Sequence, residues 1–176
     1  MSLLFSEFKA PFKNSQDKGF TLFEMLGVLL LVGILAGIAT PSLLGFLARA
    51  GARQDFTALQ GLLQRTQQEA IRQSRTCRVI LPTNNSENAK VSSDCRVTED
   101  VVLENVVIKY NNASNQAINF NYRGNTSPLR TIVLADTQSQ YQRCLIISNG
   151  IGVIRKGIYV GDISGTVSAS SCETTG

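Results

Sequence analysis

One segment constrains this chain more than any other. Residues 20–48, FTLFEMLGVLLLVGILAGIATPSLLGFLA, hold a single charged side chain, Glu24. From 25 to 48 the run is uncharged for 24 residues, about 36 Å as helix against a hydrocarbon core of about 30 Å. The length predicts a membrane-spanning helix. An acid at the middle of such a helix costs about 2.5–3.5 kcal/mol. Glu24 therefore needs a partner, or a position near enough to the interface to stay hydrated.

What precedes the run is polar. Residues 1–19, MSLLFSEFKAPFKNSQDKG, carry Lys9, Lys13 and Lys18 against Glu7 and Asp17, and end in Lys-Gly. An ordinary secretory signal places its apolar core before the cleavage site. This order is inverted, so a cut between Gly19 and Phe20 would leave the apolar helix with the mature chain. Arg49 and Arg53 follow the run as the three lysines precede it, and flanking charge alone orients the helix weakly.

Cysteine usage orients it better. Cys77, Cys95, Cys144 and Cys172 all lie beyond the apolar run, with no C-x-x-C pair. Four scattered cysteines point to disulfides in an oxidising compartment, with the N-terminus cytoplasmic. Three connectivities are possible. The sequence-adjacent one, Cys77–Cys95 with Cys144–Cys172, is favoured. The 176 residues include no histidine, which removes the commonest general base and metal ligand. A net charge of +4 is no nucleic-acid signature without clustering.

Beyond Pro41, which should kink or loosen the helix, the pattern becomes amphipathic. Phe56, Leu59, Leu63, Thr66 and Ala70 recur at spacings of three and four, with Leu62 and Ile71 beside them. One helix from about 20 to about 74 is expected, its second half packed on a globular domain. After Arg75 the period becomes alternating. Strands are expected at 76–81, 91–97, 101–110, 117–122, 131–135, 142–147 and 152–158, separated by Asn- and Gly-rich turns. The fold class is α+β, a long helix on an antiparallel sheet. The tail from 161 to 176 is small and polar, and Cys172 would tether it. The domain organisation is thus 1–19 leader, 20–48 apolar helix half, 49–75 amphipathic helix half and 76–176 β-rich domain.

The motif KGFTLFEML resembles the cleavage and methylation site of type IV prepilins and type II secretion pseudopilins. On that resemblance, Gly19 precedes the cut and Phe20 becomes the N-methylated terminus. Glu24 is then the acid at mature position five, and Gly33 and Pro41 match the residues at which pilin helices loosen in filaments. In the family the acid is thought to pair with a neighbouring subunit's first amino group. It cannot reach its own, since four helical residues separate them by about 6 Å along the axis. RTQQEAIRQSRTCRVIL is similar to the helix end and first strand of the GspH/FimT group, through Glu69, Ala70, Ile71, Arg72 and Val79. In INFNYRGNTSP, Phe120 and Gly124 match that group's strand phenylalanine and turn glycine.

Some members of the group carry a Gly-Arg-x-Arg motif associated with DNA binding. The corresponding residues are Gly152, Val153, Ile154 and Arg155, so a valine replaces the first arginine. Arg155 and Lys156 would form a small basic patch, with Arg143 or Arg130 as further members. Glu99 and Asp100 offer calcium oxygens, although a turn explains them as well. Asn84, Asn112 and Asn125 open glycosylation sequons.

The resemblance implies a structural protein, not an enzyme, with no cofactor and no metal. Its partners would be other pilin or pseudopilin subunits, prepilin peptidase, the inner-membrane assembly platform and lipid, with DNA as the alternative ligand. It would sit in the bacterial inner membrane as a single-pass protein with its C-terminal domain periplasmic, then in a pilus or pseudopilus.

Overall fold

A computed structural model describes residues 19–86, 88–95, 99–136 and 141–174, apart from the side chains of 38–42 and 44. Its contacts divide the chain into two units, Met1–Thr40 and Pro41–Gly176. Among the described residues, helix α1 (Leu22–Arg72) is followed by strands and one turn of 3-10 helix. The architecture is α+β. The expected leader lies outside the described residues except for Gly19. The loosening expected at Pro41 falls on a side chain outside them, while the backbone there is helical.

In the first unit α1 is exposed along its described length. Among the described residues no helix is long and apolar enough to cross a membrane.

In the second unit two five-stranded antiparallel sheets enclose one core with the amphipathic half of α1. The first sheet is built from β1 (Cys77–Ile80), β2 (Ala89–Ser93), β3 (Val101–Leu103), β5 (Ala117–Phe120) and β6 (Thr126–Ser127), in the order β3-β2-β1-β5-β6. The second contains β4 (Val107–Tyr110), β7 (Arg130–Ala135), β8 (Gln142–Ile147), β9 (Ile154–Tyr159) and β10 (Cys172–Thr174), in the order β10-β9-β8-β7-β4. Leu59, Leu63 and Ala70 of α1 meet Val79, Ile118 and Phe120 from the first sheet and Ile132, Leu145 and Ile147 from the second. Each such large side chain contributes about 1.5–3 kcal/mol on burial.

Three features differ from the sequence expectations. The stretch 101–110 is two strands in different sheets, because the chain crosses over at Glu104-Asn105. The buried Asp55 of α1 fixes that crossover by accepting the Asn105 backbone N–H at 2.8 Å and its side-chain amide at 3.3 Å. The expected strand at 91–97 ends at Ser93, and residues 96–98 lie outside the described set. The polar tail is not merely tethered. Val167 and Tyr159 pack with Val133 and Ile146 on the face of the second sheet opposite the helix, and Cys172 starts strand β10 against β9. Covered on both faces, β7 carries an unbroken buried run instead of an alternating one.

The disulfides join Cys77 to Cys95 and Cys144 to Cys172, the sequence-adjacent pairing. The first ties β1 to the chain just beyond β2. The second holds the tail on β8.

Candidate assembly surface

The start of α1 is built by a local device. Thr21 stands just before the helix, and its hydroxyl accepts the Glu24 backbone N–H at 3.3 Å while its carbonyl accepts from Met25 at 3.1 Å. Thr-x-x-Glu at a helix start is the capping-box pattern, and the acid also lies in the first turn, where the helix dipole favours it. No cation among the described residues lies within ion-pair distance of Glu24.

Around this acid the surface is apolar on every side. All large hydrophobic side chains from Phe20 to Leu35 are at least 47% exposed, and Phe23 reaches 86%. A helix that is apolar all round is normally covered by protein or lipid. Gly27, Gly33 and Gly37 would meet nothing within 4 Å if they carried a Cβ. Their own chain does not require them to be glycine. They leave shallow places where another helix can approach closely.

The resemblance positions in the second unit are structural. Glu69 pairs with Arg72, whose hydrogen bond holds the carboxyl below its ordinary pKa, and Ala70 and Val79 are buried. Ile71, expected beside the apolar stripe, is half exposed and lies over Gly124, where a Cβ would come within 2.9 Å of its Cδ1. Phe120 is fully buried. Gly124 and Gly152 both have positive φ, 77° and 64°.

Their turns meet at Gln67, a residue outside the apolar stripe of the helix. Gln67 donates its side-chain amide to the carbonyls of Gly124 at 2.7 Å and Gly152 at 2.9 Å. One side chain of α1 thus fastens a turn from each sheet. The sequence signal was faint: a glutamine one helical turn before Ile71, with two glycine turns far downstream.

The expected basic patch does not form as such. Arg130 is fully buried and donates to the carbonyls of Asn111, Asn112 and Ala117, with its guanidinium 5.4 Å from the Tyr110 ring centroid. Burial pushes its pKa down and that of Tyr110 up. Arg155 and Lys156 are successive residues of β9, so they project from opposite faces. Lys156 faces α1 and shares a groove with Arg143, whereas Arg155 does not line that groove.

Asp100 is engaged by Lys90 at 2.7 Å, and the Asn84 amide exchanges hydrogen bonds with the backbone of Tyr110. Among the described residues one group has ligand atoms close enough for a metal, Cys77, Asp94 and Cys95. Its two sulfurs are consumed in a disulfide, and Asp94 accepts the Arg78 backbone N–H at 2.6 Å.

A helix that is uncovered and apolar at its start, and amphipathic where it packs on a disulfide-bonded antiparallel domain, defines a pilin-type subunit. The chain belongs to the GspH family: the profile for type II transport protein GspH matches residues 56–150, and that for the prokaryotic N-terminal methylation motif matches residues 14–40.

It is 47% identical over 49 residues to a fimbrial protein of Moraxella nonliquefaciens, covering 28% of this chain and 31% of that one. It is 32% identical over 98 residues to the type IV major pilin protein PilE of Neisseria gonorrhoeae, covering 54% of this chain and 56% of that one. The chain therefore spans about a third and just over half of these relatives. The crystal structure of the type IV minor pilin FimU of Pseudomonas aeruginosa PAO1 shares the fold, with a TM-score of 0.50 at 16% identity, over 73% of this chain and 99% of that one.

Proposed function

We propose that this chain is a minor pilin or pseudopilin. Prepilin peptidase would cut it between Gly19 and Phe20, residues 20–48 would anchor it in the inner membrane with the second unit in the periplasm, and its helix would then pack into a pilus or secretion pseudopilus. The observation that carries this is the described start of α1: a continuous exposed apolar surface with one unpaired acid, directly after a Lys-Gly step. Such a surface needs a cover, lipid before assembly and other subunits' helices after it. The role is structural, and the apolar helix is the working part.

Glu24 then pairs with the α-amino group of a neighbouring subunit's first residue and sets register, with Gly33 and Pro41 as the adaptable points of the helix. Mass spectrometry of the mature N-terminus tests the processing step: a methylated phenylalanine at position 20 is expected, and an intact leader would refute it. Glu24→Ala should insert normally and enter sheared filaments poorly. Incorporation at the parent level would show that the acid has no register role. The DNA-binding alternative draws no support from β9, whose two cations point apart. A gel shift by the full chain at low salt that disappears in Arg155→Ala would restore it.

A further inference from the structure

A groove of about 330 Å³ lies between α1 and the helix-facing side of the second sheet. Arg53, Phe56, Thr57 and Gln60 come from α1, Tyr141 and Arg143 from just before and within the start of β8, and Lys156 from β9. No carboxylate is among its lining residues within the described set. Arg143 is held in place by Tyr141, donating Nε–H to the phenol oxygen at 3.1 Å with its guanidinium 5.2 Å from the ring centroid. Its Nη groups, the Lys156 ammonium and the Arg53 guanidinium have no protein partner among the described residues. Arg143 pairs with Ile158 and Lys156 with Leu145, so the two cations are diagonal neighbours on one face. Three unpaired cations around one concavity, one of them pre-set by an aromatic, favour an anion with several oxygens.

The position along the helix selects among anions. Arg53 follows the last residue of the apolar run by five positions, about 7–8 Å of helix. A headgroup layer extends about 5–8 Å beyond the hydrocarbon on each side. If residues 20–48 anchor the chain, as proposed above, the Arg53 end of this groove lies at headgroup level and its Gln60 end beyond it, and the aromatic and basic lining is of the kind found at interfaces.

We propose that this groove binds the phosphate headgroup of an anionic phospholipid on the periplasmic leaflet. The bound headgroup holds the second unit against the membrane before assembly, and leaving the membrane requires its release. The occupant is recognised by charge and by the Arg143 fork, and a zwitterionic headgroup is disfavoured because its ammonium would meet the three cations.

The test uses the full chain in a zwitterionic detergent with equal amounts of phosphatidylglycerol and phosphatidylcholine, reading retained lipid by native mass spectrometry. Each basic residue near an anionic surface contributes about five-fold in affinity. R143Q/K156Q should therefore lower the retained glycerol-to-choline lipid ratio by about 25-fold. K156Q alone should lower it by less, and R155Q, on the other face of β9, should leave it unchanged.

Equal ratios in the parent and R143Q/K156Q would overturn the proposal, as would an equal loss in R155Q. So would displacement of the lipid by equimolar inorganic phosphate or an oligonucleotide, since the groove would then be a general anion site. K156Q changes an exposed side chain and reports even if the double variant misfolds. Alkaline extraction of membranes separates the two levels. A chain that resists extraction but shows no lipid preference sinks this inference alone, and a chain released by alkali sinks the anchoring proposal with it.

Discussion

Replacing Gln67 tests how the second unit is held together. Its amide meets two carbonyls in hydrogen bonds of 2.7 and 2.9 Å, and both belong to buried glycines at positive φ. The two turns already touch, since a Cβ on Gly152 would lie 2.0 Å from the Gly124 carbonyl oxygen. Each bond is worth about 0.5–1.5 kcal/mol net, so Gln67→Ala should cost about 2 kcal/mol. For a chain of this size that is about 4–8 °C in melting temperature. Gln67→Glu should cost more, because its carboxylate would face two carbonyls with no proton to give them. Thermal unfolding of the full chain in detergent, followed by circular dichroism, reads both. The control is Gln68→Ala, one residue on and exposed. If Gln67→Ala melts with that control, or if the glutamate variant is no worse than the alanine one, the clamp contributes nothing and the two turns are held by backbone packing alone.

Other perturbations have calculable directions. Gly152→Ala should destabilise more than Gly124→Ala in equilibrium denaturation, because the former drives a Cβ into a backbone carbonyl and the latter meets the end of the Ile71 side chain; both also incur the roughly 1–2 kcal/mol of a left-handed residue. Replacing Cys144 and Cys172 by serine opens a bridge of separation 28 and should cost about 3 kcal/mol, with proteolysis of the tail rising before the rest of the unit is cut. Asp162 is held below its ordinary pKa by hydrogen bonds from the Ser164 hydroxyl and backbone N–H. A depressed acid stabilises the fold above its unfolded pKa and loses that contribution as pH falls through the folded one. The acid-side drop in melting temperature should therefore be shallower in Asp162→Asn, and parallel pH profiles would refute the assignment.

The sequence makes some of this plain and hides the rest for physical reasons. Helical periodicity picks out Phe56, Leu59, Leu63, Thr66 and Ala70, all buried, because one face of α1 meets one core. It does not divide 101–110, where apolar strand formers flank Glu104-Asn105 on both sides and the crossover depends on Asp55, about fifty positions away. It offers a usable hint in TIVLA and CLII, whose unbroken apolar runs mean cover on both faces, and the second cover proved to be a tail too polar to attract notice. Charge counting grouped Arg130, Arg143, Arg155 and Lys156. Strand alternation and burial separate them, and Arg53 of the helix replaces two of them beside Arg143 and Lys156.

Glu24 belongs to both halves of that lesson. As the fourth residue of Thr-x-x-Glu it lies in the first turn of α1, its backbone N–H capped by the Thr21 hydroxyl, and a carboxylate near a helix N-terminus gains about 0.3–1 kcal/mol from the dipole. That is well short of the 2.5–3.5 kcal/mol an acid costs at the centre of a membrane helix. Capping therefore explains how the helix begins but not how the charge is tolerated. On the proposed processing, Phe20 would carry an ammonium one residue before the cap, at the positive end of its own helix, where neither its dipole nor its distant acid suits it. The acid of one subunit and the terminus of another each lack what the other supplies. Glutamine at position 24 retains the capping pattern and removes only the charge. A Glu24→Gln chain that starts its helix normally yet assembles poorly would locate the function of Glu24 between subunits, and one that assembles normally would confine it to the cap.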